Sequence, residues 1–200
     1  MTPLCELAQK YSTDKGGGLY DVHQKLQVYN GVLATACHNN TPYYHELYGT
    51  RRNEVRAVLE IGILCGSSLR MWADYFPNAQ IVGIDIDPKT MFSAPRITTF
   101  VGDQRNLGPV LQSIPISSFD LILDDGLHDL ENQSLALQTL LPYLVGGGFY
   151  IVEDLGTESV PNWLIEQVQK PGYTCWDKPI TGGFGNIPPV EHLLIVRKDL

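Results

Sequence analysis

Ala57-Val58-Leu59-Glu60-Ile61-Gly62-Ile63-Leu64-Cys65-Gly66-Ser67 is the stretch of this 200-residue chain whose reading decides the fold. Its first half is a near-continuous apolar run, the pattern of a strand buried on both faces. Its second half is a glycine turn that opens a helical pattern, with Leu69, Trp72, Ala73 and Phe76 at helical spacing. Three more runs of the same kind follow: Gln80-Ile81-Val82-Gly83-Ile84-Asp85, Phe119-Asp120-Leu121-Ile122-Leu123-Asp124 and Gly148-Phe149-Tyr150-Ile151-Val152-Glu153-Asp154. A weaker run covers residues 97–101. A helical pattern over 130–144, carrying Leu135, Leu137, Leu140, Leu141 and Leu144, reads as stopping at Gly146-Gly147-Gly148. Strand and helix in alternation predict a doubly wound α/β fold with a mostly parallel sheet. Residues 173–178 and 190–198 predict a closing antiparallel strand pair, joined by a glycine- and proline-rich loop at 181–189.

Residues 1–56 have a different character. Helical patterns lie around 4–11 and 43–56, with the irregular stretch 12–41 between them. They are expected to cap the sheet, within a single domain over 1–200 whose core is 57–200. A chain of this length can bury one sizeable core without a disulfide or a structural metal. Lys plus Arg number 14 against 22 Asp plus Glu, a formal net charge of −8. That argues against a phosphate-tracking nucleic-acid binder, which would show a basic stripe, and disfavours an anionic membrane surface. No apolar stretch reaches the ~20 residues of a spanning helix. Cys5, Cys37, Cys65 and Cys175 form no CxxC pair. With no signal-peptide pattern at 1–10, they read as reduced thiols of a cytoplasmic protein.

The glycine turn lies where a doubly wound fold holds a ligand. Gly62 and Gly66 allow close backbone approach, and Ser67 opens a helix whose free N–H groups suit an anion. Asp85, ending the second run, is placed to accept hydrogen bonds from a ribose diol. Asp103 and Gln104, after the weaker run, supply polar groups where an adenine amine would lie. A nicotinamide or flavin dinucleotide needs G-x-G-x-x-G to seat its pyrophosphate. The spacing here is E-x-G-x-x-x-G, with Leu64 where the second glycine would stand. S-adenosylmethionine carries no phosphate and tolerates a looser loop, and Glu60 is available to its amino-acid end.

The third run leads into Asp124-Asp125-Gly126-Leu127-His128 and the fourth into Glu153-Asp154. Ligands gather outside the carboxyl ends of such strands. Asp125, Glu153 and Asp154 are therefore expected together, with His128 one turn away. Three clustered carboxylates repel each other unless a cation is present, and hard oxygen ligands favour Mg²⁺ or a similar divalent ion. Such an ion can bind a substrate hydroxyl and lower its pKa. His128 can then take the proton, a role typically worth ~10²–10⁴-fold. Taken alone, Asp125 or Asp154 would read as a helix cap; the pairing of two clusters favours a metal site. Asp124 is expected to point to the other side of the strand. Tyr173, Trp176 and Phe184 read as packing rather than as an acceptor pocket.

D-D-G-x-H followed by E-D at the next strand resembles the metal-dependent sugar O-methyltransferases that tailor macrolide and related deoxysugars. The resemblance extends to Ser68-Leu69-Arg70-Met71-Trp72, Gly83-Ile84-Asp85-Ile86, Gly102-Asp103-Gln104 and Tyr11-Ser12-Thr13-Asp14-Lys15. It covers most of residues 7–155. It implies a class I methyltransferase fold with S-adenosylmethionine as donor. It also implies Asp125, Glu153 and Asp154 as Mg²⁺ ligands and His128 as general base. Thr13 and Lys15 match a segment that closes over the cofactor side. Three departures are visible: the macrolide enzymes carry a large N-terminal domain without a counterpart here, 16–37 reads as an insertion, and Asn40 stands where an aromatic residue is usual. The implied reaction is methylation of a hydroxyl of a 6-deoxyhexose such as rhamnose, on a small molecule or a glycan. The rivals are a catechol-type enzyme acting on an aromatic diol and a non-catalytic binding module of the same fold. Homo-oligomerisation is left open.

Overall fold

The computed structural model describes residues 1–16, 28–29, 32–33, 37–156, 158–183 and 190–200. Most of the expected insertion at 16–37, residues 184–189 of the expected loop, and Phe184 lie outside the described residues. The helices are α1 (Pro3–Tyr11), α2 (Thr41–Tyr48), α3 (Ser67–Tyr75), α4 (Gly108–Leu111), α5 (Leu130–Leu140) and α6 (Asn162–Val168). Strands β1 (Val28–Tyr29) and β2 (Val32–Leu33) pair with each other as an antiparallel ribbon. The main sheet holds β3 (Ala57–Ile61), β4 (Gln80–Asp85), β5 (Ser93–Ala94), β6 (Ile97–Val101), β7 (Phe119–Asp124), β8 (Leu144–Val152), β9 (Tyr173–Thr181) and β10 (Val190–Lys198).

The sheet order is β5-β6-β4-β3-β7-β8-β10-β9. The five strands from β6 to β8 are parallel. At one edge β10 and β9 run antiparallel, as the sequence predicts. At the other edge the short β5 also runs antiparallel, and no signal in the sequence predicts it. The chain goes from β3 outward to β4 and β6, then returns to lay β7 and β8 on the other side. That reversal opens a crevice at the carboxyl ends of β3 and β7.

Burial on both faces explains the apolar runs. Val58, Ile81, Leu121 and Leu123 face a layer built from α1, α2 and α3. Leu59, Ile61, Val82 and Ile122 face the layer of α4, α5 and α6. The first layer is rich in aromatics: Trp72 stacks on Phe76, and Tyr48 meets Phe76 and Phe149 edge-on. Each such side chain stabilises the fold by ~1.5–3 kcal/mol through burial alone. Helices α1 and α2 share this core with α3, which fixes the N-terminal residues over one side of the crevice.

Three local expectations need correction. Helix α5 ends at Leu140, not at the glycine triplet. Pro142 follows in a short 3₁₀ turn (Leu141–Tyr143), and its missing N–H cannot continue an α-helix. The glycines lie inside β8, where a Cβ on Gly148 would stand 2.8 Å from the Asp120 carbonyl oxygen. Leu135 faces solvent rather than the core. Helix α2 stops at Tyr48, well short of residue 56, and turns follow. All four cysteines are free. Among the described residues no helix is long and apolar enough to cross a membrane.

Gly62 shows how tightly the crevice is built. Its φ is +90°, and a Cβ there would lie 2.0 Å from the Asp125 carbonyl oxygen. Gly62→Ala is expected to destabilise the fold by more than about 1 kcal/mol, since alanine at positive φ is strained even where space is open. Urea unfolding measures it; a midpoint equal to that of the unsubstituted chain would contradict this packing.

Candidate active site

A cavity of about 680 Å³ lies outside the carboxyl ends of the parallel strands. Its floor is the glycine loop after β3, which the acid at the end of β4 holds in place. Asp85 Oδ2 accepts from the backbone N–H of Ile63 at 2.8 Å and of Leu64 at 3.3 Å. On the β6 side, Gln104 is clamped at both ends. Its Nε2 donates to Asp124 Oδ1 at 2.8 Å, and its Oε1 accepts from Leu127 N at 2.7 Å. Asp103 sits at the rim, gripped by the Arg105 guanidinium at 2.7 Å.

Strand alternation separates the two acids after β7. Asp124 is fully buried against Gln104 and Tyr150. Burial pushes its carboxyl up to about 7. Asp125 turns to the cavity and meets the Lys15 ammonium.

Lys15 is 1% exposed. Its Nζ donates to Asp125 Oδ2, lies 2.7 Å from Glu153 Oε2 and 3.6 Å from Glu60 Oε1. Burial alone would depress the ammonium; Asp125, Glu153 and Glu60 outweigh it and hold it well above the usual lysine range. Glu153 is further bound by Tyr44, whose OH donates to Oε1 at 2.6 Å. Glu60 accepts from Trp72 Nε1 at 2.6 Å, and burial raises its carboxyl. Its Oε1 has no hydrogen-bond partner among the described residues.

A second cluster adjoins the first. Asp154, at φ +56°, places Oδ2 3.4 Å from His128 Nε2 and Oδ1 3.2 Å from His38 Nδ1. Glu191 Oε2 lies 2.6 Å from the same His38 nitrogen. Burial works against a charged His38, but Asp154 and Glu191 prevail and raise it to about 11. The His38 hydrogen bond likewise keeps Asp154 below the usual carboxylate range, against the effect of burial. His128 stands on the loop before α5, whose N-terminus Asp129 caps by accepting from Glu131 N and Asn132 N.

Residues 59–155 match the family model described as a methyltransferase domain. The chain contains a methyltransferase domain. It is 35% identical over 168 residues to demethylmacrocin O-methyltransferase of Streptomyces fradiae, covering 80% of this chain and 38% of that protein. It is 37% identical over 131 residues to the 8-demethyl-8-(2-methoxy-alpha-L-rhamnosyl)-tetracenomycin-C 3'-O-methyltransferase of Streptomyces olivaceus, covering 62% of this chain and 34% of that protein. The chain thus spans little more than a third of these relatives' lengths. Among solved structures, the MycE methyltransferase of the mycinamycin pathway, in complex with Mg, SAH and mycinamycin VI, superposes with a TM-score of 0.68. That match has 25% identity and covers 99% of this chain and 55% of MycE.

Thr13, Lys15, Gly62, Ser67, Asp85, Asp103, Gln104, Asp125, His128 and Asp154 all line the cavity, the last eight of them inside the matched region. Glu60, Gly66 and Glu153 are not among its lining residues. Glu60 and Glu153 lie behind Lys15, buried, with oxygens committed to Trp72, Tyr44 and the ammonium. Gly66 instead shapes the start of α3, at φ +74°. Donor atoms of Asp125, His128 and Asp154 lie within 4.8 Å of one another, as do those of His38, Asp154 and Glu191. Sequence reading missed His38, Tyr44 and Glu191. A signal existed for Glu191, an acid in an otherwise mostly apolar strand; Tyr44 carried none.

Replacing Lys15 by Met would leave Glu60 and Glu153 buried without a countercharge. Breaking one partner out of a buried ion pair typically costs ~3–5 kcal/mol. Lys15→Met is expected to lose stability on that scale in metal-free urea unfolding. A loss below about 1 kcal/mol, the range of an exposed pair, would show that the ammonium is not the countercharge of this nest.

Proposed function

We propose that the chain is an S-adenosylmethionine-dependent O-methyltransferase of the cytoplasm. Its acceptor is a sugar hydroxyl, of a 6-deoxyhexose such as rhamnose carried on a glycoside, and it works with Mg²⁺ or a similar divalent ion. One observation carries the reading: Asp125, His128 and Asp154 converge within 4.8 Å beside a glycine loop at the point where the strand order reverses. The relatives' names, which include rhamnosyl-tetracenomycin O-methyltransferases, support the acceptor class. A cavity of about 680 Å³ falls within the range of small-molecule and cofactor sites, roughly 300–1,000 Å³.

The residues present fit both groups. Asp85 and the rim acid Asp103 flank the glycine loop, where a ribose and an adenine would lie. Asp125, Glu153 and Glu60 share one ammonium, so the nest is short of positive charge, and its donors are hard oxygens suited to Mg²⁺. Asp125 and Asp154 would hold the ion from the cavity side. Glu153 would join them only through Oε2, the oxygen Lys15 now holds at 2.7 Å, so the ammonium must then move aside.

When bound, the ion would chelate two neighbouring hydroxyls and make one of them more acidic. His128, about half exposed at the cavity mouth, accepts that hydroxyl's proton at Nε2. Asp154 Oδ2, 3.4 Å from the same nitrogen, balances the imidazolium charge once that proton has arrived. The chemistry the bound donor would supply is its methyl group, passed to the freed hydroxyl oxygen as the carbon–sulfur bond breaks and S-adenosylhomocysteine leaves. Holding the two reactants in line supplies much of the acceleration.

The first test is calorimetry with S-adenosylhomocysteine, with Mg²⁺ present and with it chelated, adding a rhamnoside in each state. Binding of the cofactor product in both states, and of sugar only with metal, is expected. Sugar uptake indifferent to metal would remove the ion from the reaction; no uptake of S-adenosylhomocysteine would remove the methyltransferase reading. His128→Ala should lower transfer by roughly 10²–10⁴-fold while S-adenosylhomocysteine affinity holds. Near-normal turnover would deprive His128 of its role. Asp85→Ala should weaken S-adenosylhomocysteine by about 10- to 100-fold, the worth of hydrogen bonds to a charged group, and unchanged affinity would place the ribose elsewhere.

A further inference from the structure

Glu191 stands in β10, beside the buried apolar side chains Leu193, Leu194, Ile195 and Val196. A buried carboxylate is retained only with a partner, because an unpaired buried charge is costly. The partner is His38, at 2.6 Å. The same imidazole nitrogen reaches Asp154 Oδ1 at 3.2 Å, while Asp154 Oδ2 is 3.4 Å from His128. The Asp154 carboxylate is therefore divided, one oxygen against His38 and the other toward His128. Its backbone at φ +56° is left-handed without being glycine. Such conformations cost ~1–3 kcal/mol and persist only where the surroundings impose them. The backbone anchors His38 in turn, its N–H donating to the Asp14 carbonyl at 2.7 Å. Glu191 is not among the described residues that line the cavity, so it acts on the site through His38.

We infer that Glu191 and His38 are positioning residues, a clamp from the edge strand that turns Asp154 Oδ2 toward the ion and the base. This rests on the proposed function and extends it to β10, which supplies no residue of the reacting centre itself. Partners of metal-binding carboxylates and imidazoles commonly change metal affinity by 10–100-fold when removed.

The experiment titrates Mg²⁺ into the full chain saturated with S-adenosylhomocysteine. Glu191→Gln and Glu191→Asp are each expected to weaken Mg²⁺ by about tenfold or more. Glu191→Asp keeps the charge but shortens the reach. S-adenosylhomocysteine affinity under chelation should stay within about twofold in both variants. In a His38→Gln background, Glu191→Gln should change Mg²⁺ affinity by less than about twofold, because its route to Asp154 is already cut. Mg²⁺ affinity unmoved in both Glu191 variants would overturn the clamp. So would a Glu191→Asp protein that binds Mg²⁺ normally, since charge alone would then explain Glu191→Gln. An equal loss in the His38→Gln background would also overturn it. Two ions per chain would make His38, Asp154 and Glu191 a metal site and overturn it as well. If the unsubstituted chain takes up no Mg²⁺, the proposed metal fails first and the clamp falls with it, a result distinct from the others.

Discussion

The Lys15 ammonium lies buried between Asp125, Glu153 and Glu60, and it joins the irregular segment 12–16 to the sheet. Glu60 belongs to β3, Asp125 follows β7 and Glu153 follows β8, so one side chain ties the ends of three parallel strands. Two unit charges 4 Å apart attract by about 4 kcal/mol at an effective dielectric constant of 20, yet desolvating each ion costs several kcal/mol. The arrangement is thus a modest net contributor to stability and a strict condition on geometry. It brings residues 12–16 across the crevice, where the backbone of Lys15 accepts from Asn40 and Thr41. The N-terminal wall of the cavity follows from that contact.

Strand periodicity does the next piece of sorting. Asp124 and Asp125 are adjacent acids with opposite fates, because successive side chains leave a strand on opposite faces. Asp124 goes into the sheet's far face, where Gln104 and Tyr150 hold it. Gln104 also receives the Leu127 N–H, so this buried acid fixes the loop that carries His128. One acid is spent on aiming the loop and the other on facing the cavity. Asp85 is similarly double in use, since the carboxylate at the cavity also holds the glycine loop through Ile63 and Leu64.

What the sequence made legible was what local periodicity encodes. Doubly buried strands, the glycine turn and the acids that end the strands all declare themselves within a few residues. The contacts of Lys15 and His38 do not, because their partners lie 110, 138 and 153 residues away. Lys15 sits in an irregular stretch, and nothing about a lysine there says that it is buried. The glycine triplet misled for the opposite reason. Its local signal is that of a helix stop, but Pro142 has already ended α5, and Gly148 serves the close approach of the Asp120 backbone. Position in the sequence alone points Glu60 at the cofactor; in the structure it is buried against Trp72 and Lys15 and does not line the cavity.

Backbone strain is gathered where the chemistry is. Five non-glycine residues among those described have positive φ: Ser12, Asn39, Leu64, Arg96 and Asp154. Three of them, Ser12, Leu64 and Asp154, line the cavity. Each left-handed residue of this kind costs of order 1 kcal/mol or more and needs something to hold it. Ser12 ends α1, and its N–H returns to the last turn of that helix. Leu64 donates its N–H to Asp85. Among the described residues the Asp154 N–H makes no such backbone bond, and its carboxylate is held by His38. The first two residues shape the cavity wall, and their restraint is local. The third lies in the proposed reacting centre, and its restraint is drawn from another strand through two side chains. A left-handed aspartate held through two side chains accords with the proposed clamp, in which the direction of its Oδ2 matters beyond its burial and charge balance.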